Sequence, residues 1–320
     1  MIGDAVFSSL PKAELHVHLE GSLRPERILQ WVQTTSSHPW KNLTQVELIS
    51  RFKMASFPEF IESFMTGYRL LDSAIRYQQA TEDLCLEFQR QGVTYAEVLY
   101  SPGVQIQHYG RSLQEIHRGI AAGLNQFPNL KVRFVLDTVL NLGPDFMMRT
   151  LDQVLHHRPD FLCGFSIGGG VPEINLEPFL PLFEKAQNAD LVCMAHVGEV
   201  DPASNVSFLV AHTDIQRIAH GCSAAADLNA IQLIKNRNIT IDICPTSNKR
   251  TGASAGMNPP PAVVFHQHGI PITLNTDDPL YFQCDLEGEY RVASEEFGFD
   301  SDELKAIMVH GLGFEAKNAR

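Results

Sequence analysis

Apolar residues in this chain gather into short runs rich in β-branched and aromatic side chains, and most runs end on glycine or polar residues. They are AELHVHLEG (13–21), VTYAEVLYSPG (93–103), KVRFVLDTV (131–139), FLCGFSIGGG (161–170), DLVCMAHVGE (190–199), IQRIAHG (215–221), ITIDICPTSN (239–248) and PITLNTDDP (271–279). Each has the composition of a buried strand. Between them lie segments with helix-compatible spacing at 112–126, 145–157, 176–188, 223–237 and 260–268. The first connection, 22–92, has room for several helices, FPEFIESFMTGYRLL among them, and the tail beyond 283 supplies one or two more. Strands alternating with helices predict parallel β-α units with right-handed crossovers. Eight such units close most simply into a (β/α)8 TIM barrel, with extra helices between the first and second strands, as one domain over residues 1–320. A doubly wound open sheet is the rival, but no GxGxxG follows the first run.

This arrangement gives the polar residues a common address. His16 and His18 end run one, His196 and Glu199 run five, His220 run six, and Asp277 and Asp278 run eight. Barrels of this kind carry their chemistry at the C-terminal strand ends. Residues two apart on a strand share a face, so His16 and His18 aim two imidazoles at one point. A lone strand histidine is ordinarily a satisfied core residue, whereas two buried neighbours without a metal would need several partners. With His196 from another strand, three nitrogen ligands can meet. Three protein ligands and an open position suit catalytic zinc, and Asp277 can add an oxygen.

Water on such an ion has its pKa lowered to about 7, and Glu199 is the candidate acid to protonate whatever is attacked. Taken singly, Glu199 suits a helix N-terminus, Asp277 and Asp278 a solvated turn before Pro279, and His220 a strand end bonded to backbone. Their coincidence favours metal chemistry.

Net charge narrows the ligand. At −12 the chain repels a phosphate backbone on average, and the longest basic cluster is NKR at 248–250, so nucleic acid is not an expected partner. No apolar run approaches the roughly 20 residues of a membrane helix. The opening MIGDAVFSSLPK lacks the basic and apolar regions of a secretory signal. Six scattered cysteines without a CxxC pair predict buried free thiols and a cytoplasmic protein. The HxE/PCxxC, HExxH and GxSxG signatures are missing from the sequence. Run four has no lysine of the kind that bridges two metals, so a single ion is expected. The default ligand is a small neutral or weakly charged molecule, and the sequence leaves oligomeric state open.

LPKAELHVHLEGSL, GVTYAEVLYSPG, AHVGE, RIAHG, ICPTSN and LNTDDP, in this order over residues 10–279, resemble the adenosine deaminase family of metal-dependent barrel hydrolases. The resemblance implies one Zn2+ per chain on His16, His18, His196 and Asp277, with Glu199 a protonated acid toward purine N1 and His220 and Asp277 orienting the water. It further implies that Asp278 holds N7, that the Gly169 N–H reaches N3, and that His18 and Glu20 lie near the substrate. The implied reaction is hydrolytic deamination of a 6-aminopurine nucleoside. Phe57, Phe60 and Phe64, spaced along one helix face, could roof the pocket or simply pack.

Some positions depart from the family. Glu20 stands in HLEG where nucleoside deaminases usually have HLDG, and HLEG also occurs in relatives acting on adenine. Ser166 and Gly170 replace acids in SIGGGVPE, and Leu99 replaces an arginine. Adenine and aminodeoxyfutalosine are therefore alternative substrates, with another amidohydrolase reaction a further one. AMP is disfavoured because no Lys/Arg cluster marks the strand ends.

Overall fold

In the computed structural model, which describes residues 10–53, 56–169 and 173–317, each of the eight apolar runs contains a strand. Gly170 lies outside the described residues. The strands are β1 (Lys12–His18), β2 (Val93–Tyr100), β3 (Lys131–Val139), β4 (Leu162–Gly168), β5 (Val192–Val197), β6 (Arg217–His220), β7 (Thr240–Ile243) and β8 (Ile272–Leu274). They pair in parallel in chain order from β1 to β8. The first strand meets the chain just beyond β8, where His18 N–H donates to Asp277 O at 2.8 Å and Asp277 N–H to His16 O at 3.0 Å. The barrel thus closes at two residues expected to carry chemistry.

The first connection holds four helices: α1 (Pro25–Thr34), α2 (Gln45–Arg51), α3 (Phe57–Tyr68) and α4 (Ala74–Arg90). The α2 helix opens with a capping box, Thr44 accepting from Glu47 N–H while Glu47 reaches back to Thr44 N–H. Helices at Leu113–Leu124, Pro144–His156, Leu180–Asn188, Leu228–Asn236 and Pro261–Gln267 fill the other expected connections, and Leu286–Glu295 and Ser301–Lys317 form the tail. Four described helices differ from the sequence pattern, one of them the short Pro279–Phe282, which opens on the last residue of run eight. Pro102–Tyr109 and Pro245–Arg250 start inside runs expected to stay extended, because each opening proline presets a helical φ at a position where its missing N–H costs nothing. Ala203–His212 follows β5, in a stretch with no expected helix.

Outward strand faces pack against the helices in one continuous apolar shell. Inside the barrel, Leu99, Val135, Cys163, Met194 and Ala219 form a small separate core. Next to Met194 the interior turns ionic. Arg217 Nη1 lies 2.7 Å from Glu97 and its Nε 3.0 Å from Asp242, with all three side chains fully buried. All six cysteines are free, five buried and Cys284 partly so, and no helix of the described residues is long and apolar enough to cross a membrane.

Removing one partner of a buried ionic group strands the others in low dielectric. Arg217→Met should therefore lower stability by about 3–5 kcal/mol, read as a fall in the urea midpoint at constant m-value. An unchanged midpoint would mean that this cluster contributes nothing.

Candidate metal centre and active site

Four side-chain atoms from three separated parts of the barrel meet at its mouth. His16 and His18 come from β1, His196 from β5, and Asp277 from just beyond β8. His196 Nε2 is 3.2 Å from both His16 Nε2 and His18 Nε2, while Asp277 Oδ1 is 3.3 Å and 3.4 Å from the same two nitrogens. Ligand atoms about 2.0–2.1 Å from a central zinc, tetrahedrally disposed, stand about 3.3 Å apart. The four measured separations match that edge. Burial pushes His16 well below its ordinary pKa and His18 down to about 4, so both rings are neutral with lone pairs available. Against its burial, Asp277 lies well below the usual carboxylate range when a positive charge stands beside it at His16, and a metal ion supplies that charge with the rings of His16 and His18 neutral. Three imidazole nitrogens with one carboxylate fit a divalent zinc-like ion.

Neighbouring groups fix these rings. His196 Nδ1 lies 3.1 Å from Ile167 O and 3.2 Å from Ser166 Oγ, which directs its Nε2 inward. Ser247 Oγ donates to Asp277 Oδ2 at 2.7 Å, and His220 Nδ1 is 2.9 Å from Asn248 Oδ1. Ser247 and Asn248 lie within the quoted ICPTSN stretch, but nothing in their residue types assigned them these partners. His220 and Asp277 both have left-handed backbone, φ 65° and 64°. That conformation costs a non-glycine residue about 1–2 kcal/mol, and here it turns both side chains off the strand axis into the mouth.

Glu199 follows the sharp turn at Gly198, φ 79°, where an added Cβ would lie 2.8 Å from Val206 and 3.1 Å from Gly221. Its Oε2 is 3.8 Å from His220 Nε2, which in turn is 3.9 Å from Asp277 Oδ2. Burial raises the Glu199 pKa, partly offset by His220, and so favours the protonated acid. Asp278 is raised well above its usual range by burial and by the adjacent Asp277 charge. Gly21 must lack a side chain, since a Cβ there would fall 1.8 Å from Asp278 Oδ1.

These groups open onto a cavity of about 350 Å³. Phe57, Phe60 and Phe64 stand on its wall, as do Gly169, at φ 101°, and Asp278. Glu20 does not line it. That side chain is buried behind the wall, its Oε1 accepting from Tyr68 Oη at 3.0 Å and Ser101 N–H at 3.0 Å. Asp137, at the end of β3, does line it, and the sequence reading passed it over as part of an ordinary strand. The signal was an acidic residue two positions beyond an inward-facing Val135.

The family model described as adenosine deaminase matches residues 11–316. An adenine deaminase of Pseudomonas fluorescens is 27% identical over 95% of this chain and 96% of its own length. An aminodeoxyfutalosine deaminase of Streptomyces coelicolor is 29% identical over 96% of this chain and 80% of its own. Among solved structures, an amidohydrolase from Burkhoderia ambifaria with bound Zn superposes with a TM-score of 0.86 at 21% identity, covering 97% of this chain and 86% of that one.

A cluster built for an ion should be stabilised by it. Adding zinc to chelator-stripped protein at about 100 times its dissociation constant should raise Tm by about 5 °C, and His16→Ala should abolish the rise. An equal rise in the variant would place the ion elsewhere.

Proposed function

The chain belongs to the adenosine deaminase family, and from that premise we propose that it hydrolytically deaminates a 6-aminopurine nucleoside, releasing ammonia and the 6-oxopurine. The observation that carries this reading is the alignment of a protonated-acid candidate, Glu199, with His220 and Asp277 at one end of a cavity roofed by aromatic rings. His16, His18, His196 and Asp277 are the residues to hold one zinc ion per chain. When bound, that ion supplies Lewis acidity and a water of lowered pKa.

The protein groups divide the remaining work. Glu199 donates its proton to ring N1, which draws electron density from C6 and readies it for attack. His220, held by Asn248, orients the attacking water and takes up its proton. Water oxygen forms the new bond at C6, the C6–N bond breaks, and the amino group leaves as ammonia once protonated. Asp278, kept neutral by burial, offers a donor to ring N7, and the Gly169 N–H serves N3. The three phenylalanines cover the ring face and exclude water.

The electrostatics also narrow the substrate. No lysine or arginine lines the cavity among the described residues, whereas Asp137, Glu199, Asp201, Asp277 and Asp278 do. A phosphorylated substrate would find no lysine or arginine there to pair with its phosphate, so a neutral nucleoside or base is favoured over a nucleotide.

Glu199→Gln should retain zinc and lose turnover by about 10²–10⁴-fold. Ammonia release across adenosine, 2′-deoxyadenosine, adenine and a 5′-modified adenine nucleoside checks both activity and substrate. Full activity in the glutamine variant would remove Glu199 from the acid role, and adenine as the preferred substrate would replace the nucleoside reading by its alternative.

A further inference from the structure

The groups assigned to chemistry occupy only part of the rim: β1, β5, β6 and the residues just beyond β8. Beside His196, the ends of β2 and β3 carry a second polar set that the mechanism leaves unused. Ser101 Oγ donates to Asp137 Oδ2 at 2.9 Å, and both residues stand on the cavity wall. Asp137 is 4% exposed, and its Oδ1 has no hydrogen-bond partner among the described residues. A carboxylate oxygen in that position costs free energy unless something donates to it.

Orienting His196 does not account for Asp137. The His196 Nδ1 already has Ile167 O at 3.1 Å and Ser166 Oγ at 3.2 Å, while Asp137 Oδ1 is farther, at 3.7 Å. Nor does a bound cation, since among the described residues Asp137 joins no group of three close metal-ligating side chains, unlike the histidine cluster. Ser101 is itself fixed from behind, its N–H donating to Glu20 and its carbonyl accepting from Tyr68 Oη. The wall is therefore built to hold Asp137 in one orientation.

The substrate's own donors say what faces it. Carbon 6 must point at the metal cluster, where the amino group is spent, so the hydroxyls of the sugar on N9 are the donors a nucleoside has left to offer an acceptor on the cavity wall. Accordingly we infer that Asp137, oriented by Ser101, is a specificity-determining residue that accepts a hydrogen bond from a hydroxyl of the sugar on N9. This rests on the nucleoside deaminase reading and adds to it a reason for choosing hydroxylated nucleosides over analogues that lack the contacted group. A site made to bond a hydroxyl discriminates strongly against its absence, because the buried acceptor is then left unpaired.

The test compares kcat/KM for adenosine and its 2′-, 3′- and 5′-deoxy analogues in wild type, Asp137→Asn and Ser101→Ala, with zinc content measured on each. Wild type should disfavour one deoxy analogue by roughly 100-fold, and Asp137→Asn should shrink that one ratio to about threefold or less while retaining zinc. Ser101→Ala, a smaller change, should weaken the same ratio and no other. Equal losses on all four nucleosides, loss of zinc, or a ratio unchanged in both variants would overturn the assignment. Wild type inert toward every nucleoside and toward adenine would instead overturn the deaminase reading beneath it, and preference for adenine would overturn the nucleoside part of both.

Discussion

The packing of three imidazole nitrogens and one carboxylate oxygen at 3.2–3.4 Å is the constraint on which the rest of the mouth depends. Lone pairs held that close and out of water repel one another unless a proton or a cation is shared between them, and the spacing suits a cation. No local segment could assemble it. His16 and His196 are 180 residues apart in the chain, and Asp277 reaches His18 only because the barrel closes there. The apolar shell outside the strands supplies the cohesion that lets the interior carry such a load of polar groups. His220, paired with Val197 on β5, and Asp277, bonded to His16 and His18 on β1, both hold left-handed backbone at these junctions.

From that centre the rim divides by chemistry. Proton-handling groups cluster where burial and charge act against each other. Glu199 and Asp278 are pushed toward the neutral form, Asp277 toward the ionised one, and the difference assigns donors and ligand. The wall next to His196 is quieter, a serine and an aspartate braced by Glu20 and Tyr68. Glu20 touches Ser101 and Tyr68 rather than the cavity. This changes the meaning of the HLEG variation, because its extra methylene lets the carboxylate reach the backbone of β2's end and tie two strands together.

Much of the barrel was legible in the sequence because its strands are buried on both faces and read as short apolar runs bounded by glycine and polar residues. The histidines and carboxylates were legible for a related reason: polar residues at the ends of apolar runs are costly unless they have work to do. What escaped was whatever depends on register and turn geometry. Pro102 and Pro245 look like strand terminators yet open helices, since proline suits a first helical turn as well as a strand end. The pairing of Asn248 with His220 and Ser247 with Asp277 arises from the helix that Pro245 begins, so missing the helix meant missing the partners. Asp137 escaped because a single acid in KVRFVLDTV carries no pattern until the barrel shows which wall it stands on.

The account requires that solvent water deliver its oxygen to carbon 6 of the purine as the amino group departs. Reaction of the zinc-loaded protein with adenosine in ¹⁸O-labelled water, followed by mass spectrometry of the purine product, tests this directly. One labelled oxygen in the base for each ammonia released is the expected result. Product carrying no label, or label without stoichiometric ammonia, would contradict hydrolytic deamination at this centre.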